Sequence, residues 1–147
     1  MLLIRALHVR KFSELKGRFN SDSFRNLNGG ISIFDYECSI KSTGSVCGHL
    51  SEFYNHIVGQ PAFFCRFEFN DLVNDFQLAN GQNIEIIQSD SDKGDKCHHD
   101  IVNFKDKLTD KFSQKYFQPP NIYVCCNGEE KRLGYKEFII LNQYKCA

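Results

Sequence analysis

Residues 17–24 bring together, within eight positions, the side chains that proteins use to hold a phosphate or a ribose. The polar candidates in this segment are Arg18, Asn20, Ser21 and Ser23. A guanidinium can hold a phosphate with two hydrogen bonds, and amides and hydroxyls can orient a sugar. Arg5 and His8 lie upstream in a short apolar stretch. Loops also favour these residue types for conformational reasons, so an ordinary polar turn between two aromatic residues is the alternative interpretation.

A second candidate site consists of three ionisable side chains at helical spacing. His49, Glu52 and His56 are three and four residues apart, so on a helix they share one flank. Such a group could transfer protons or bind a metal. It could equally be an exposed flank with an ordinary Glu–His pair.

Residues 97–100, with the sequence Cys-His-His-Asp, are the densest group of metal-ligand side chains. Adjacent residues of an extended segment point to opposite faces, so at most one of the two histidines enters any one site. A zinc site built from Cys47, His49, Cys97 and one of these histidines has suitable donors. Its spacing is not that of a recognised finger or ribbon, so we predict no metal site.

The overall charge is balanced. The 147 residues contain 18 Lys and Arg and 18 Asp and Glu, so no general attraction to nucleic acid or to an anionic membrane is expected. Lys107, Lys111 and Lys115 align on one predicted helix face, but Asp106 and Asp110 lie beside them, which is typical of a solvated face. Nucleic acid is not the partner that this pattern favours.

The cysteines and the N-terminus bear on location. Seven cysteines, an odd number, are spread over both halves without the spacing of a disulfide framework. The apolar start of the chain is too short for a signal peptide, and no apolar run approaches the ~20 residues of a membrane span. These features predict reduced thiols, a cytoplasmic location and no membrane partner.

Hydrophobic periodicity alternates between two and 3.6 residues, which predicts a single α+β domain over residues 1–147. We expect a mixed or antiparallel sheet of about six strands, with three or so helices. The predicted strands are residues 2–9, 31–34, 62–69, 84–87 and 100–104, and a C-terminal hairpin with arms 122–126 and 138–141.

Three helices are predicted from their caps and apolar positions. The first begins after Ser45 and runs to about Ile57, and the second begins after Asn70 and ends at Gly81. The third carries apolar residues at 108, 112 and 116 and ends before Pro119. Residues 10–30 are expected to be a long loop or a short helix.

The order of the N-terminal motifs resembles that of a known family. Residues 4–8 (Ile-Arg-Ala-Leu-His), residues 17–20 (Gly-Arg-Phe-Asn) and a later helix bearing Glu52 follow one another as the motifs of RES-type domains do. These domains are ADP-ribosyltransferase-like, NAD-processing toxins, which have Trp where this chain has Phe19. The resemblance covers about the first 57 residues.

This resemblance implies a function for each matching residue. Arg5 and Arg18 would hold the pyrophosphate of NAD, and Asn20 and Ser23 would orient a ribose. Glu52 would stabilise the positive charge that develops on the sugar as nicotinamide departs. NAD would be a substrate rather than a prosthetic group, and an antitoxin or other regulatory partner in a defence system is implied.

A longer stretch resembles an uncharacterised group of small bacterial domains. Their Arg-x-Ser-Ser-x-x-Phe motif corresponds to residues 18–24, and a later histidine-containing strand corresponds to residues 99–102, followed by Lys105 and Lys107. This match associates His99 with the polar segment at 17–24. The candidate catalytic residues are Arg5, Arg18, Glu52 and His99, and the candidate ligand-binding residues are His8, Asn20, Ser21 and Ser23.

Two other functions are compatible with the sequence. A metal-independent ribonuclease could use two of His8, His49 and His99 as acid and base, with Arg18 or Lys105 against the phosphate. Alternatively, the chain is a non-catalytic binding or inhibitory module in which residues 17–24 shape a surface loop.

Overall fold

A seven-stranded antiparallel sheet forms the centre of the fold. The computed structural model describes residues 1–20, 30–89 and 93–147. In the described residues the sheet has the order β6-β7-β4-β1-β5-β8-β9, and β2 and β3 form a separate two-stranded ribbon. The strands are β1 Leu2–Leu7, β2 Phe12–Ser13, β3 Arg18–Phe19, β4 Ile31–Asp35, β5 Ala62–Glu68, β6 Glu85–Gln88, β7 His98–Val102, β8 Ile122–Cys126 and β9 Glu129–Arg132.

Five helices in the described residues pack on this sheet, which confirms the predicted α+β class. They are α1 Tyr36–Thr43, α2 Val46–Phe53, α3 Phe69–Asn80, α4 Thr109–Tyr116 and α5 Tyr135–Phe138. Short 3₁₀ turns occupy Val9–Lys11, Asp106–Leu108 and Leu141–Gln143.

Local capping signals account for most of the helix ends. The Ser45 side chain accepts a hydrogen bond from the Gly48 amide at 2.9 Å, as predicted for the start of α2. Gly81, with φ 70°, terminates α3 in the left-handed conformation. Helix α1 is absent from the predictions. It follows β4 without a loop, and the Asp35 carboxylate caps it by accepting from the amides of Glu37 and Cys38.

The predicted C-terminal hairpin has the right turn but the wrong second arm. Asn127 and Gly128 both have positive φ, 54° and 84°, which is the geometry of a two-residue type I′ turn. Such a turn pairs Cys126 directly with Glu129, so the return strand is β9 rather than residues 138–141. Strand β9 is exposed along its length and has no apolar residue, and so it lacks the pattern that a core strand shows.

The two faces of the sheet carry different cores. One face, called here the Phe face, packs against α3, α4 and α5 through Leu3, Ile33, Phe67, Leu72, Phe76, Phe112 and Phe138. The other, called here the His face, packs against α1 and α2 through Ile4, Phe34, Val46, Leu50 and Phe64. His49 is wholly buried, and its ring stacks on Phe34 of the His face at 4.3 Å between centroids.

The prediction of reduced thiols is wrong for six of the seven cysteines, all of which lie in the described ranges. The structure contains disulfides between Cys38 and Cys97, Cys47 and Cys125, and Cys126 and Cys146, and Cys65 is a buried free thiol. The paired residues are 59, 78 and 20 positions apart, so only the folded sheet brings them together. The cytoplasmic location, which was inferred from reduced thiols, stays a prediction without that support.

Candidate functional site

The site begins where two neighbouring strands of the sheet separate. Strands β1 and β4 are fully described, and their register covers two positions, Leu3 with Asp35 and Ile4 with Phe34. Beyond that point, the Ser32 carbonyl accepts a hydrogen bond from the Arg5 guanidinium at 2.5 Å. If the two strands stayed paired, a backbone amide of β1 would lie opposite this carbonyl. Here the Arg5 side chain donates to it instead.

A cavity of about 200 Å³ opens at this separation, and polar side chains from four segments line it. Arg5 and His8 come from β1 and the residue after it, Ser32 from β4, and Tyr54 from the end of α2. Lys11, in the 3₁₀ turn, is also part of the lining. The combination of basic groups with two hydroxyls is suited to an anionic, hydroxylated ligand.

The electrostatics of the cavity favour an anion. Burial lowers the pKa of the Arg5 guanidinium to about 10, which still leaves it protonated at neutral pH. Burial also lowers the pKa of His8, and the positive charges of Arg10, Arg5 and Lys11 lower it further. A bound anion would relieve this mutual repulsion among the basic groups, whereas a bound cation would increase it.

A second cavity of about 200 Å³ adjoins the first. The two share Ala6, Leu7, His8 and Tyr54 in their linings. The second lining adds mainly apolar side chains, among them Leu50, Ile57, Pro61 and Phe63. A ligand with one charged end and one apolar, planar end would fit across the two cavities.

A chain of hydrogen bonds leads from the first cavity into the His face. The Ser32 hydroxyl lies 2.6 Å from Nε2 of His98, and Nδ1 of His98 lies 2.9 Å from the Ser89 hydroxyl and 3.0 Å from the Ser89 carbonyl. The Ser89 hydroxyl in turn donates to the Asp100 carboxylate at 2.6 Å.

The acceptors in this series of hydrogen bonds determine which atom of each pair is the donor. A carbonyl can only accept, so we assign Nδ1 of His98 as the donor to Ser89, which leaves Nε2 to accept from the Ser32 hydroxyl. Ser32 and His98 therefore have the relation of a hydroxyl and its general base, with Ser89 and Asp100 orienting the imidazole.

Strand register places these groups together. Ser32 pairs with Asp100 and Phe34 with His98 across β4 and β7, so all four side chains lie on the His face. Gly30 makes the close approach possible, because a Cβ at that position would lie 2.7 Å from Cβ of Asp100.

Tyr54 connects the cavity to a buried pair of hydrogen-bonded residues, His49 and Asp95. Nε2 of His49 lies 2.8 Å from the Asp95 carboxylate, and both residues are at most 1% exposed. The Tyr54 hydroxyl donates to the same carboxylate at 3.4 Å. Burial and the neighbouring Asp95 raise the pKa of Tyr54 above its ordinary value, so it is a neutral hydroxyl donor at all physiological pH values.

The predicted catalytic residues do not share one pocket. Arg5 lines the first cavity, whereas Glu52 is exposed and lines a separate pocket with Lys93 and Lys96. Arg18, on β3, lies 3.7 Å from the Asp110 carboxylate of α4. His99 alternates away from His98, and its Nδ1 bonds to the Cys97 carbonyl at 3.0 Å.

The predicted ligand-binding residues have mixed positions. His8 lines both cavities, as expected for a residue near Arg5. Asn20 is exposed, and its backbone amide bonds to the Lys11 carbonyl at 2.8 Å. Ser21 and Ser23 lie outside the described residues.

Six residues of the described site were missing from the candidate catalytic and ligand-binding residues: Lys11, Ser32, Tyr54, Ser89, His98 and Asp100. A signal did exist for part of it, because His98 and Asp100 are two positions apart and share a face wherever the segment is extended, although the predicted strand began only at Asp100. The isolated hydroxyl of Ser32 between Ile31 and Ile33 was a further signal. Tyr54 falls at an apolar position of the helix predicted after Ser45, so its hydroxyl gave no signal of its own.

The lysines of the third predicted helix are partly occupied by ion pairs. Lys115 lies 2.7 Å from the Asp75 carboxylate of α3. In the part of the chain that the structure describes, no helix is both long and apolar enough to cross a membrane.

Comparisons with known proteins gave no match. No family model matches this sequence, and neither a curated protein nor a solved structure matches the chain. A functional assignment therefore has to be argued from the site itself.

Proposed function

We propose that this chain binds a nucleotide across the two adjoining cavities and cleaves it, with NAD as the first candidate substrate. The observation that carries the proposal is the Arg5 guanidinium in the gap between β1 and β4, beside a Ser32 hydroxyl that is hydrogen-bonded to His98. This places an anion-binding group next to a general base, which is the combination that processing of a phosphorylated substrate requires.

Each cavity suits one part of the ligand. Arg5 and Lys11 would hold the phosphates through charge-assisted hydrogen bonds. The apolar lining around Leu50 and Phe63 would accommodate a planar base or the nicotinamide ring. Tyr54 stands between the two and can donate to a ribose hydroxyl or to a phosphate oxygen.

The chemical step uses the chain of hydroxyl and imidazole groups. The bond between the ribose C1′ and the nicotinamide nitrogen breaks, and its electron pair neutralises the pyridinium nitrogen. Water attacks C1′, and the proton it loses passes through the Ser32 hydroxyl to Nε2 of His98. In this mechanism Ser32 and His98 activate the water, and Glu52, to which the family resemblance gave the stabilisation of positive charge on the sugar, takes no part.

The test is nicotinamide release from NAD. We expect turnover by the wild-type protein and a loss of roughly 10²–10⁴-fold in Ser32→Ala and His98→Gln, the range typical of general acid–base groups. Ser51→Ala removes an exposed hydroxyl of α2 and serves as the matched control with unchanged rate. Wild-type protein that is folded by circular dichroism but inert towards NAD would reject the proposal.

The Glu52→Gln variant tests whether the catalytic residues are those of the cavity or the one that the family resemblance implies. Because Glu52 lines a different pocket from Arg5, the proposed mechanism predicts an unchanged rate. A rate reduced to the level of Ser32→Ala would return the catalytic role to Glu52 and contradict the assignment to Ser32 and His98.

A metal-independent ribonuclease is the second candidate, and one observation favours it. His8 lines the cavity whose lining also holds Ser32, the partner of His98, so two imidazoles act at one cavity. His49, which the sequence also suggested as acid or base, cannot reach a substrate, because its ring is 0% exposed. Cleavage of RNA in the presence of a chelator, lost in both His8→Gln and His98→Gln, would select this function if NAD is untouched.

The biological setting is a further proposal. A toxin-like effector with an antitoxin or similar partner follows from the family resemblance alone. The three disulfides favour an oxidising compartment over the cytoplasm, where thiols are kept reduced. Thiol labelling of protein isolated from its native source under acidic quenching would decide: labelling of Cys65 alone after unfolding supports the oxidising compartment, and seven labelled thiols support the cytoplasm.

A further inference from the structure

The Cys38–Cys97 disulfide lies against the buried His49–Asp95 pair. The Cys97 sulfur, a His49 ring nitrogen and an Asp95 carboxylate oxygen are all within 4.8 Å of one another. Cys38 is joined to Cys97, with 5.5 Å between their Cα atoms. One sulfur, one imidazole and one carboxylate therefore lie together, and the Cys38 sulfur is bonded to that sulfur at 2.05 Å.

We propose that reduction of Cys38–Cys97 creates a zinc site with Cys38, Cys97, His49 and Asp95 as its four ligands. Zinc in proteins takes thiolate, imidazole and carboxylate ligands in tetrahedral geometry, at about 2.0–2.3 Å from the metal. The ligand atoms of Cys97, His49 and Asp95 lie within 4.8 Å of one another and need only small shifts to reach those distances. Cys38, once freed from Cys97, would supply the fourth ligand by rotation of its side chain.

The electrons and protons of the step balance. A phosphine reductant and one water convert the disulfide to two thiols, and the phosphine becomes its oxide. Zinc binding then releases the two thiol protons. His49 must present Nε2 to the metal, and its proton can move to Nδ1, which is buried and has no hydrogen-bond partner among the described residues.

An entry route for the ion leads to the cluster. A pocket of about 540 Å³ is lined by Asp95 together with Ser42 and Glu52. The Ser42 hydroxyl lies 3.4 Å from the Cys97 sulfur, so the pocket reaches both a carboxylate ligand and the disulfide. Glu52 lines this opening together with Lys93 and Lys96, so the opening has no excess of negative charge and the affinity for the ion would come from the ligands within.

This ligand set differs from the one considered from sequence. Cys47 is bonded to Cys125, His98 is bonded to Ser32, and His99 is bonded to the Cys97 carbonyl. Asp95 and Cys38 take their places. Tyr54 touches both the nucleotide cavity and Asp95, but no proposed zinc ligand takes part in the proposed cleavage. Zinc binding by the reduced protein can therefore succeed or fail whether or not the oxidised protein cleaves NAD.

The experiment measures zinc binding by equilibrium dialysis and metal analysis, before and after treatment with the phosphine. We expect close to one zinc per chain in the reduced protein and none in the oxidised protein. Cobalt in place of zinc should give the visible absorption of a tetrahedral site with thiolate ligands. A reduced wild-type protein that binds neither metal overturns the proposal, whether or not it keeps its fold.

Variants assign the ligands. Asp95→Asn and Cys38→Ser should each weaken zinc binding by more than roughly 100-fold, since loss of an outer-shell partner alone costs 10–100-fold. Cys126→Ser is the matched control, because reduction frees its disulfide as well and it lies outside the proposed ligand set. Equal zinc affinity in the wild type and in both ligand variants overturns the proposal, as does loss of binding in Cys126→Ser alone.

Discussion

The two faces of the sheet are formed by the same strands but bury different kinds of side chain. On the Phe face, aromatic rings pack edge to face, as Phe112 does with Phe67 at 5.1 Å and with Phe117 at 5.4 Å. On the His face, the sheet buries an imidazole and a carboxylate and is tied to its helices by two disulfides. The Phe face is formed mainly by apolar contacts, whereas the His face also holds the hydrogen-bonded pair His49 and Asp95.

The difference follows from the cost of burying polar groups. Each fully buried aromatic or aliphatic side chain stabilises the fold by about 1.5–3 kcal/mol. A buried polar group contributes far less, and it destabilises the fold unless every donor and acceptor finds a partner. In the hydrogen-bond chain from Ser32 to Asp100 only His98 is buried, and the proposed function gives this chain a chemical role.

The largest predicted effect concerns the Phe face. Phe112→Ala leaves a cavity at a residue that is 0% exposed and should lower the free energy of unfolding by about 3–5 kcal/mol. Activity per folded molecule should be unchanged at a temperature where the variant is folded. Denaturant titration and a nicotinamide assay on the same sample measure the two quantities, and a large loss of activity without destabilisation would break the distinction between the faces.

An intermediate effect is expected at the contact between β4 and β7. Gly30→Ala forces Asp100 to move, because the added methyl group would lie 2.7 Å from its Cβ. Overpacking of this kind costs about 1–3 kcal/mol, and the displaced carboxylate would no longer hold the Ser89 hydroxyl that orients His98. We expect both stability and activity to fall. Gly134→Ala, where a methyl group would meet open space, is the control.

The smallest effect concerns pH. The pKa of His8 is lowered in the folded protein, chiefly by burial and then by neighbouring positive charges. Below the ordinary histidine pKa of about 6.5 the unfolded chain binds more protons at this position, so stability falls as the pH decreases from there. Burial lowers the pKa of His56 in the same direction.

Unfolding titrations at several pH values test this point. His8→Gln should flatten the acid side of the stability profile, and His8→Gln with His56→Gln should flatten it further. An unaltered profile in the double variant would contradict the pKa directions. A nucleotide bound beside His8 should also reduce the slope, because its phosphate favours the protonated imidazole.

Most of the helices and strands could be predicted from short-range sequence signals. The cap at Ser45, the strand at residues 62–68 and the turn at Asn127 each depend on only a few adjacent residues, and each is present in the structure. Helix α1 was missed because its sequence buries only Ser39 and so lacks a clear apolar stripe. The exposed strand β9 was missed for the same reason.

The site was only partly accessible from sequence. Arg5 and His8 were selected, and both line the first cavity. Their partners depend on pairings between β1, β4 and β7, whose residues are far apart in the chain. The disulfides are non-local in the same way, since seven cysteines allow many pairings and none can be chosen without the fold.

The most direct test of the central claim is the affinity for ADP, measured by titration calorimetry. The separation of β1 and β4 should make Arg5 the main phosphate-binding group, so Arg5→Met should weaken ADP binding by roughly 10–100-fold, equivalent to about 1.5–3 kcal/mol for hydrogen bonds to a charged group. Ser32→Ala should bind ADP as the wild type does while losing turnover. Absence of ADP binding by the folded wild type, or equal affinity in Arg5→Met, would contradict a nucleotide site at this separation.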